Sequence, residues 1–138
     1  MRAFCILALL LSGLAVSAQD TLVVEVVLCA PPRGTVQIAL CGNEKCFKSG
    51  PGCVVRSVAA DSPVVRVRLA DIAPGTYAVK VFHDVNNNGQ LDLNWLGVPN
   101  EPYGFSNDAR GSFGPPPFQE ASFQVGPKPL TIRITMKG

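Results

Sequence analysis

The clearest chemical pattern in the chain runs from Asp84 to Asp92 and reads D-V-N-N-N-G-Q-L-D. Written as D-x-N-x-N-G-x-x-D, it matches the first nine positions of a calcium-binding loop of the EF-hand kind. The glycine at the sixth position permits the sharp turn that brings alternate oxygen atoms to one point. The pattern predicts a Ca²⁺ site with five protein ligands: the side chains of Asp84, Asn86, Asn88 and Asp92, and the backbone carbonyl of Gln90.

This loop departs from the EF-hand pattern at its twelfth position, where Trp95 replaces the bidentate glutamate. Because Ca²⁺ takes 6–8 oxygens, Glu101 and Asp108 are candidates for completing the shell. The alternative interpretation is a plain turn. In that case Asn88-Gly89 forms a type I′ turn and the other Asn and Asp side chains form Asx turns. The sequence leaves both interpretations open.

His83 is the only histidine, and it precedes Asp84 directly. No serine or cysteine in a nucleophile-elbow context accompanies it, and no second histidine supports a metal triad. The chain also lacks a P-loop, a G-x-G-x-x-G motif and an H-E-x-x-H motif. We therefore expect a structural histidine and a protein that is not an enzyme.

The 34 residues from Asp84 to Pro117 show no convincing strand or helix pattern. Such a long stretch in a compact domain is usually functional or disordered, and its aromatic content argues against disorder. We predict an ordered capping loop. Trp95, Tyr103 and Phe105 within it form either a face that stacks against a carbohydrate or peptide, or the small core of the cap itself. Exposure of Trp95 would favour the first alternative.

The rest of the chain alternates apolar and polar residues as β-strands do, with almost no helix pattern. We predict seven strands, over residues 21–28, 35–40, 54–58, 64–69, 76–82, 121–125 and 130–136. These predict an all-β, antiparallel sandwich of the immunoglobulin-like or transthyretin-like kind. Pro74 and Gly75 permit a tight reversal before the fifth strand. Tyr77 then either bonds its hydroxyl to the corner backbone, as a tyrosine corner, or is a half-buried strand aromatic.

Residues 1–18 have the pattern of a secretory signal peptide: Arg2, an apolar run over Phe4–Leu11, and the small residues Val16-Ser17-Ala18. The apolar run is too short to span a bilayer. We therefore predict a single domain over residues 19–138, secreted or periplasmic and not inserted in a membrane once the signal is removed. Twelve Lys and Arg against ten Asp and Glu is too even a balance for a nucleic-acid binder.

Removal of the signal peptide leaves Cys29, Cys41, Cys46 and Cys53, which predict two disulfides in an oxidising compartment. If the Pro-Pro-Arg-Gly segment after Cys29 turned a hairpin, Cys41 would lie too far along its strand to reach Cys29. That pairing is disfavoured, and so is Cys46–Cys53 if all four cysteines pair. The connectivity otherwise stays open. The spacing lacks the C-x2-C pairs of a zinc site.

Three segments carry a resemblance to a known family: Tyr77–Asp84 with the Asn-rich loop, Gly97–Asn107 with its E-P-Y-G-F-S-N run, and Gly114–Phe123. Together they resemble domain of unknown function 2141, an uncharacterised bacterial family, over essentially all of the predicted mature chain. The resemblance implies a small exported β-sandwich with no assigned activity, and it carries over no catalytic residues. It also implies that a disulfide is a local addition. The Asp84–Asp92 run is similar, too, to calcium loops in bacterial adhesin repeats.

These observations predict an exported, non-enzymatic binding or structural module, stabilised by Ca²⁺ through its Asp/Asn-rich loop. The alternative is a carbohydrate- or peptide-binding domain that uses the loop aromatics. A hydrolase is the third and least favoured hypothesis, because no nucleophile or water activator has an orienting partner. The expected partner is an extracellular or periplasmic ligand or protein whose identity the sequence does not give.

Overall fold

The computed structural model describes residues 22–138, so the predicted signal peptide lies outside the described residues. Besides a 3₁₀ turn at Ser106–Asp108, this range contains eight strands and two short α-helices. They are β1 (Leu22–Val27), β2 (Thr35–Cys41), α1 (Glu44–Ser49), β3 (Val54–Ala59), β4 (Val64–Leu69), β5 (Gly75–Asp84), β6 (Tyr103–Phe105), α2 (Phe118–Ala121), β7 (Ser122–Val125) and β8 (Leu130–Thr135). The all-β expectation is confirmed, and β6 is the strand that the sequence pattern did not reveal.

The strands form two sheets. The first has the order β4-β1-β8, and the second has the order β3-β2-β5-β6. The long strand β5 pairs with β7 over its first residues and with β6 over later ones, so β6 and β7 share one edge of it. This arrangement holds the end of β5, where the polar loop begins, between β2 on one side and the returning chain on the other.

The two sheets enclose one hydrophobic core. Alternate residues of each strand point inward, and those that are almost fully buried include Val24, Val26, Val36, Ile38, Val65, Val67, Val79, Val81 and Ile134. The intervening residues of β4, Arg66 and Arg68, are exposed, as the alternation predicts. β-branched side chains on both inner faces therefore hold the sheets together.

One expectation and one assumption about strand arrangement are wrong. The sheets are not purely antiparallel, because β1 and β8 pair in parallel, with Val24 beside Ile132. β1 and β2 do not form a hairpin either, since they belong to different sheets. Pro31 and Pro32 follow β1 and have no N–H to donate to a ladder, so the chain leaves the first sheet there and crosses to the second.

The sequence pattern also missed the two helices. In α1 the Asn43 side chain caps the first turn by accepting a hydrogen bond of 2.9 Å from the N–H of Cys46. Gly50, with φ of 90°, ends the helix. A helix of six residues is too short to show a clear 3.6-residue period, which explains the omission. Neither helix of the described range is long or apolar enough to cross a membrane.

The turn before β5 is a tyrosine corner. The hydroxyl of Tyr77 donates a hydrogen bond of 2.8 Å to the carbonyl of Ala73, four residues earlier. Of the two alternatives for this tyrosine, the structure therefore supports the corner. The bond fixes the direction in which β5 leaves the turn.

Candidate functional site

The polar loop starts at the last residue of β5, whose position is fixed on both sides. Asp84 pairs with Thr35 of β2. The backbone of Asp84 and Val85 also lies directly against Gly34, which has φ of 67°. A Cβ at position 34 would overlap the carbonyl oxygens of Asp84 and Val85, so only glycine fits there. The start of the loop is therefore held by the scaffold rather than by the loop itself.

The carboxylate of Asp84 organises the turn. Its Oδ1 accepts a hydrogen bond of 3.1 Å from the N–H of Asn88, and its Oδ2 accepts one of 2.8 Å from the N–H of Gly89. Oδ1 of Asn88 in turn accepts 3.0 Å from the N–H of Gln90. Asn87 and Gly89 have positive φ, 56° and 76°. The Asx turns of the plain-turn interpretation are thus present, whereas Asn88 does not have the positive φ that a type I′ turn requires.

Asp92 lies at the other end of the loop and faces two asparagines. Its Oδ2 accepts a hydrogen bond of 2.6 Å from Nδ2 of Asn86, and its Oδ1 accepts one of 2.7 Å from Nδ2 of Asn88. The structure therefore brings the side chains of Asp84, Asn86, Asn88 and Asp92 into one network. Gln90 joins this network through its backbone N–H.

Glu101 closes the loop from outside the Asp84–Asp92 run. Only 6% of it is exposed. Its Oε1 accepts a hydrogen bond of 3.0 Å from the N–H of Val85, and its Oε2 accepts one of 3.1 Å from the N–H of Asp92. β6 brings it there, because the β5–β6 register pairs Phe82 with Tyr103 and so returns residue 101 to the side of residue 84. Asp108, the other residue considered for this place, instead accepts from the N–H of Thr135 in β8.

The electrostatics of this loop are one-sided. Residues 84–101 contain three carboxylates and no Lys or Arg. Asp84 is only 1% exposed, and neither it, Asp92 nor Glu101 forms an ion pair with any described residue. Buried carboxylates normally have a cationic partner or bind a metal. The buried Asp84 and Glu101 depend on N–H donors alone, as does the half-buried Asp92, and each oxygen that accepts one hydrogen bond retains a second lone pair.

His83 does not belong to this site. It is fully buried, and alternation along β5 puts it on the same face as Val79 and Val81, opposite to Asp84. Its Nε2 lies 2.6 Å from the carbonyl oxygen of Arg33, in the segment between β1 and β2. The adjacent His83 and Asp84 therefore do not act as a pair.

The three loop aromatics are separated. Trp95 is 91% exposed, and Leu96 and Val98 beside it are also exposed. Tyr103 and Phe105 lie together on β6 with ring centroids 6.0 Å apart, and Phe105 packs further against Phe47 of α1. Trp95 pairs with no other aromatic ring of residues 22–138. The predicted face thus divides into an exposed indole and a half-buried pair.

The expectation of two disulfides is wrong. One bond joins Cys41 to Cys53, a pairing that the sequence left open, while Cys29 and Cys46 are free. Cys29 follows β1 of the first sheet and is exposed, whereas Cys46 belongs to α1 and is buried beside the second sheet, so the two do not meet. The Sγ atoms of Cys41, Cys46 and Cys53 all lie within 4.8 Å of one another. The spacing of these three cysteines was weighed only as a zinc site, and it did not predict that a free thiol lies beside a disulfide.

The fold and the loop together define a small β-rich domain of two sheets with one acidic, amide-rich loop at the end of a central strand. Residues 24–133 match the family described as "Uncharacterized protein conserved in bacteria (DUF2141)", and the chain belongs to this family. Neither the curated proteins nor the solved structures gave a match.

Proposed function

We propose that this protein is an exported, non-enzymatic binding or structural module whose Asp/Asn-rich loop binds one Ca²⁺. The observation that carries the proposal is Glu101. It supplies a third carboxylate to the loop, from a position that the local D-x-N-x-N-G-x-x-D pattern does not contain. Three carboxylates without a cation around a set of amide oxygens are a donor set that suits a hard divalent ion.

The proposed ligands are the side chains of Asp84, Asn86, Asn88 and Asp92, with the backbone carbonyl of Gln90. Glu101 either completes the ligand shell or, without binding the ion directly, offsets its positive charge from the second shell. In the calcium-bound protein the ion replaces the two amide groups that now donate to Asp92. The role of the ion in this proposal is to rigidify the loop that carries the exposed Trp95, rather than to activate water.

Titration of the metal-free chain, residues 19–138, with calcium chloride tests this proposal. Calorimetry measures the affinity, and side-chain amide resonances of Asn86 and Asn88 report on the ligands. We expect a dissociation constant on the order of 10⁻⁴–10⁻³ M, as in extracellular modules, and a much weaker response to Mg²⁺. Asp84→Ala and Asp92→Asn should abolish binding. Asp61→Asn, which changes an exposed carboxylate on another turn, should leave it intact.

A wild-type protein that gives no heat and no amide shift up to about 10 mM calcium, well above that affinity range, would refute the calcium site. The polar network would then serve only to fold the loop. Loss of binding in Asp61→Asn as well as in Asp92→Asn would show that the effect is not specific to this loop.

The second candidate function is a carbohydrate- or peptide-binding domain, and the exposure of Trp95 favours it. A largely exposed indole next to Leu96 and Val98 offers an apolar face on which a sugar ring or an apolar side chain can stack. Tyr103 and Phe105 then serve the scaffold instead of the ligand face. Quenching of Trp95 fluorescence by soluble glycans or peptides would support this function, provided that a binding isotherm of the Trp95→Leu variant shows no binding of the same compounds. Unchanged Trp95 fluorescence across such a panel would refute it.

Export and the finer fold class are part of the same proposal. The Cys41–Cys53 disulfide supports an oxidising, secreted or periplasmic location. The tyrosine corner and the two packed sheets support the immunoglobulin-like or transthyretin-like kind of sandwich. Fractionation of the producing cells tests the first claim, because a full-length chain retained uncleaved in the cytoplasm would contradict it.

A further inference from the structure

We propose that Cys41, Cys46 and Cys53 form a thiol–disulfide exchange site, in which the buried thiol of Cys46 exchanges with the Cys41–Cys53 disulfide. The ligand class is low-molecular-weight thiols, which enter at Cys53. This site lies in the disulfide-closed segment between β2 and β3 and is separate from the polar loop after β5.

The geometry places the third sulfur beside the bond. All three Sγ atoms lie within 4.8 Å of one another. Cys46 is 6% exposed and Cys41 is fully buried, whereas Cys53 is half-buried. A solvent thiol therefore has access to only one end of the bond. The thiol that attacks after the solvent thiol is Cys46 of the protein itself.

The fold of the segment keeps Cys46 in this position. The Asn43 cap and the Gly50 N–H, which donates 2.7 Å to the carbonyl of Cys46, hold both ends of α1. Gly52, with φ of 93°, turns the chain next to Cys46 and leads into Cys53. The backbone of this segment therefore holds Cys46, the cysteine outside the disulfide, beside the Cys41–Cys53 bond.

The surroundings also provide positive charge. Lys80 of β5 donates a hydrogen bond of 2.7 Å to the carbonyl of Phe47, the residue after Cys46, and it has no carboxylate partner among the described residues. Desolvation by burial lowers the pKa of Lys80. The attacking species in exchange is a thiolate, so a cation on this side of the cluster suits the chemistry.

Two balanced steps follow. In the direct step, the Cys46 thiolate attacks one sulfur of the disulfide, a new bond to Cys46 forms, and the other sulfur leaves as a thiolate with the electron pair of the broken bond. In the thiol-assisted step, glutathione thiolate first bonds to Cys53 and expels Cys41. Cys46 then attacks Cys53, and glutathione leaves as the thiolate. Neither step consumes a net oxidant or reductant.

Peptide mapping tests the proposal, because trypsin cleaves after Lys45 and after Lys48 and so separates Cys41, Cys46 and Cys53 into different peptides. The chain carries Cys29→Ser to remove the exposed thiol. It is incubated with reduced glutathione, quenched in acid, alkylated and digested. We expect peptides linked through Cys46 to make up at least about one tenth of the total disulfide, a free-energy difference of no more than about 1.4 kcal/mol between pairings.

A second variant provides the control. Cys46→Ser retains the Cys41–Cys53 bond, so its fold does not depend on the exchange. Glutathione that attacks Cys53 expels Cys41, and in this variant Cys41 is the only thiol of the cluster that can displace glutathione again, so we expect only the Cys41–Cys53 pairing after the same treatment. A Cys46-linked fraction below one tenth in the parent chain would overturn the proposal.

Discussion

Replacement of Glu101 by glutamine is the sharpest test of how the polar loop is held. The substitution keeps the size of the side chain and removes its charge. The carboxylate now accepts from the N–H groups of Val85 and Asp92 through its two oxygens. A glutamine amide has one oxygen, so it can satisfy only one of these donors, and its NH₂ group must face the other.

The expected cost follows from these contacts. A hydrogen bond to a charged acceptor contributes about 1.5–3 kcal/mol, and the site is only 6% exposed, so water does not replace the lost acceptor readily. Relief of repulsion from Asp84 and Asp92 offsets part of this cost. We therefore expect Glu101→Gln to lower the free energy of unfolding by about 1–2.5 kcal/mol without calcium. For a chain of this size that is roughly 3–12 °C in the thermal midpoint.

Urea unfolding and thermal melts with and without calcium measure this effect. At 10 mM calcium the wild type should gain about 1.4–2.7 kcal/mol for a dissociation constant of 10⁻⁴–10⁻³ M, and the variant should gain less. The matched control is Glu120→Gln. Glu120 is an exposed residue of α2 whose carboxylate accepts no hydrogen bond from the described residues, so this substitution should change the free energy of unfolding by less than about 0.5 kcal/mol.

The two conditions separate two claims. If Glu101→Gln unfolds at the same urea concentration as the wild type without calcium, the loop is not held by this carboxylate and the reasoning from its two hydrogen bonds is wrong. If the variant is destabilised without calcium and its calcium response equals that of the wild type, Glu101 closes the loop but does not contribute to the ion site.

Three further substitutions test the scaffold around the site. Gly34→Ala should lower the free energy of unfolding, measured in urea, by more than about 2 kcal/mol, because the new Cβ overlaps the loop backbone at a positive φ. Its control is Gly126→Ala, whose new Cβ has no atom within 4 Å and which should be nearly neutral. Tyr77→Phe removes the hydrogen bond to Ala73 and should cost about 0.5–1.5 kcal/mol; an unchanged urea midpoint would contradict a stabilising corner. Glu25→Gln breaks ion pairs of 2.6 and 3.2 Å with arginines on the two neighbouring strands and should cost about 1 kcal/mol, a cost that shrinks in high salt; a loss that is independent of salt would contradict an electrostatic origin.

The strands were predictable where one face is buried. β4, Val64–Leu69, was predicted with its observed bounds, and β2 was predicted to within one residue. Both alternate β-branched or apolar residues with polar ones, which is the signal that a half-buried strand leaves in a sequence. β6 has three residues, Tyr-Gly-Phe, and its pairing with β5 is decided by the opposite strand rather than by its own pattern.

The cysteines show the limit of arguing from sequence separation. The argument against a Cys29–Cys41 bond assumed a hairpin, and the structure places β1 and β2 in different sheets. The pairing that forms, Cys41–Cys53, joins residues with a sequence separation of 12, which are brought together by β2 and β3, neighbours in one sheet. Which sheet each strand belongs to therefore determined which cysteines pair, and no local sequence pattern reveals sheet membership.

The run E-P-Y-G-F-S-N, which carries much of the family resemblance, has an explanation in the fold of the cap. Glu101 closes the polar loop. Gly104 passes so close to Ile134 of β8 that a Cβ would have no room. The hydroxyl of Ser106 accepts from the N–H of Val79 in β5.

Asn107, with φ of 60°, donates from Nδ2 to the carbonyl of Ser122 at the start of β7. One short run therefore ties the loop, both sheets and β7 to the end of β5. Glu101, Gly104, Ser106 and Asn107 therefore each have a structural role in this chain. Among them only Glu101 brings an unpaired charge into the site, and for that reason it is the residue on which the calcium proposal depends.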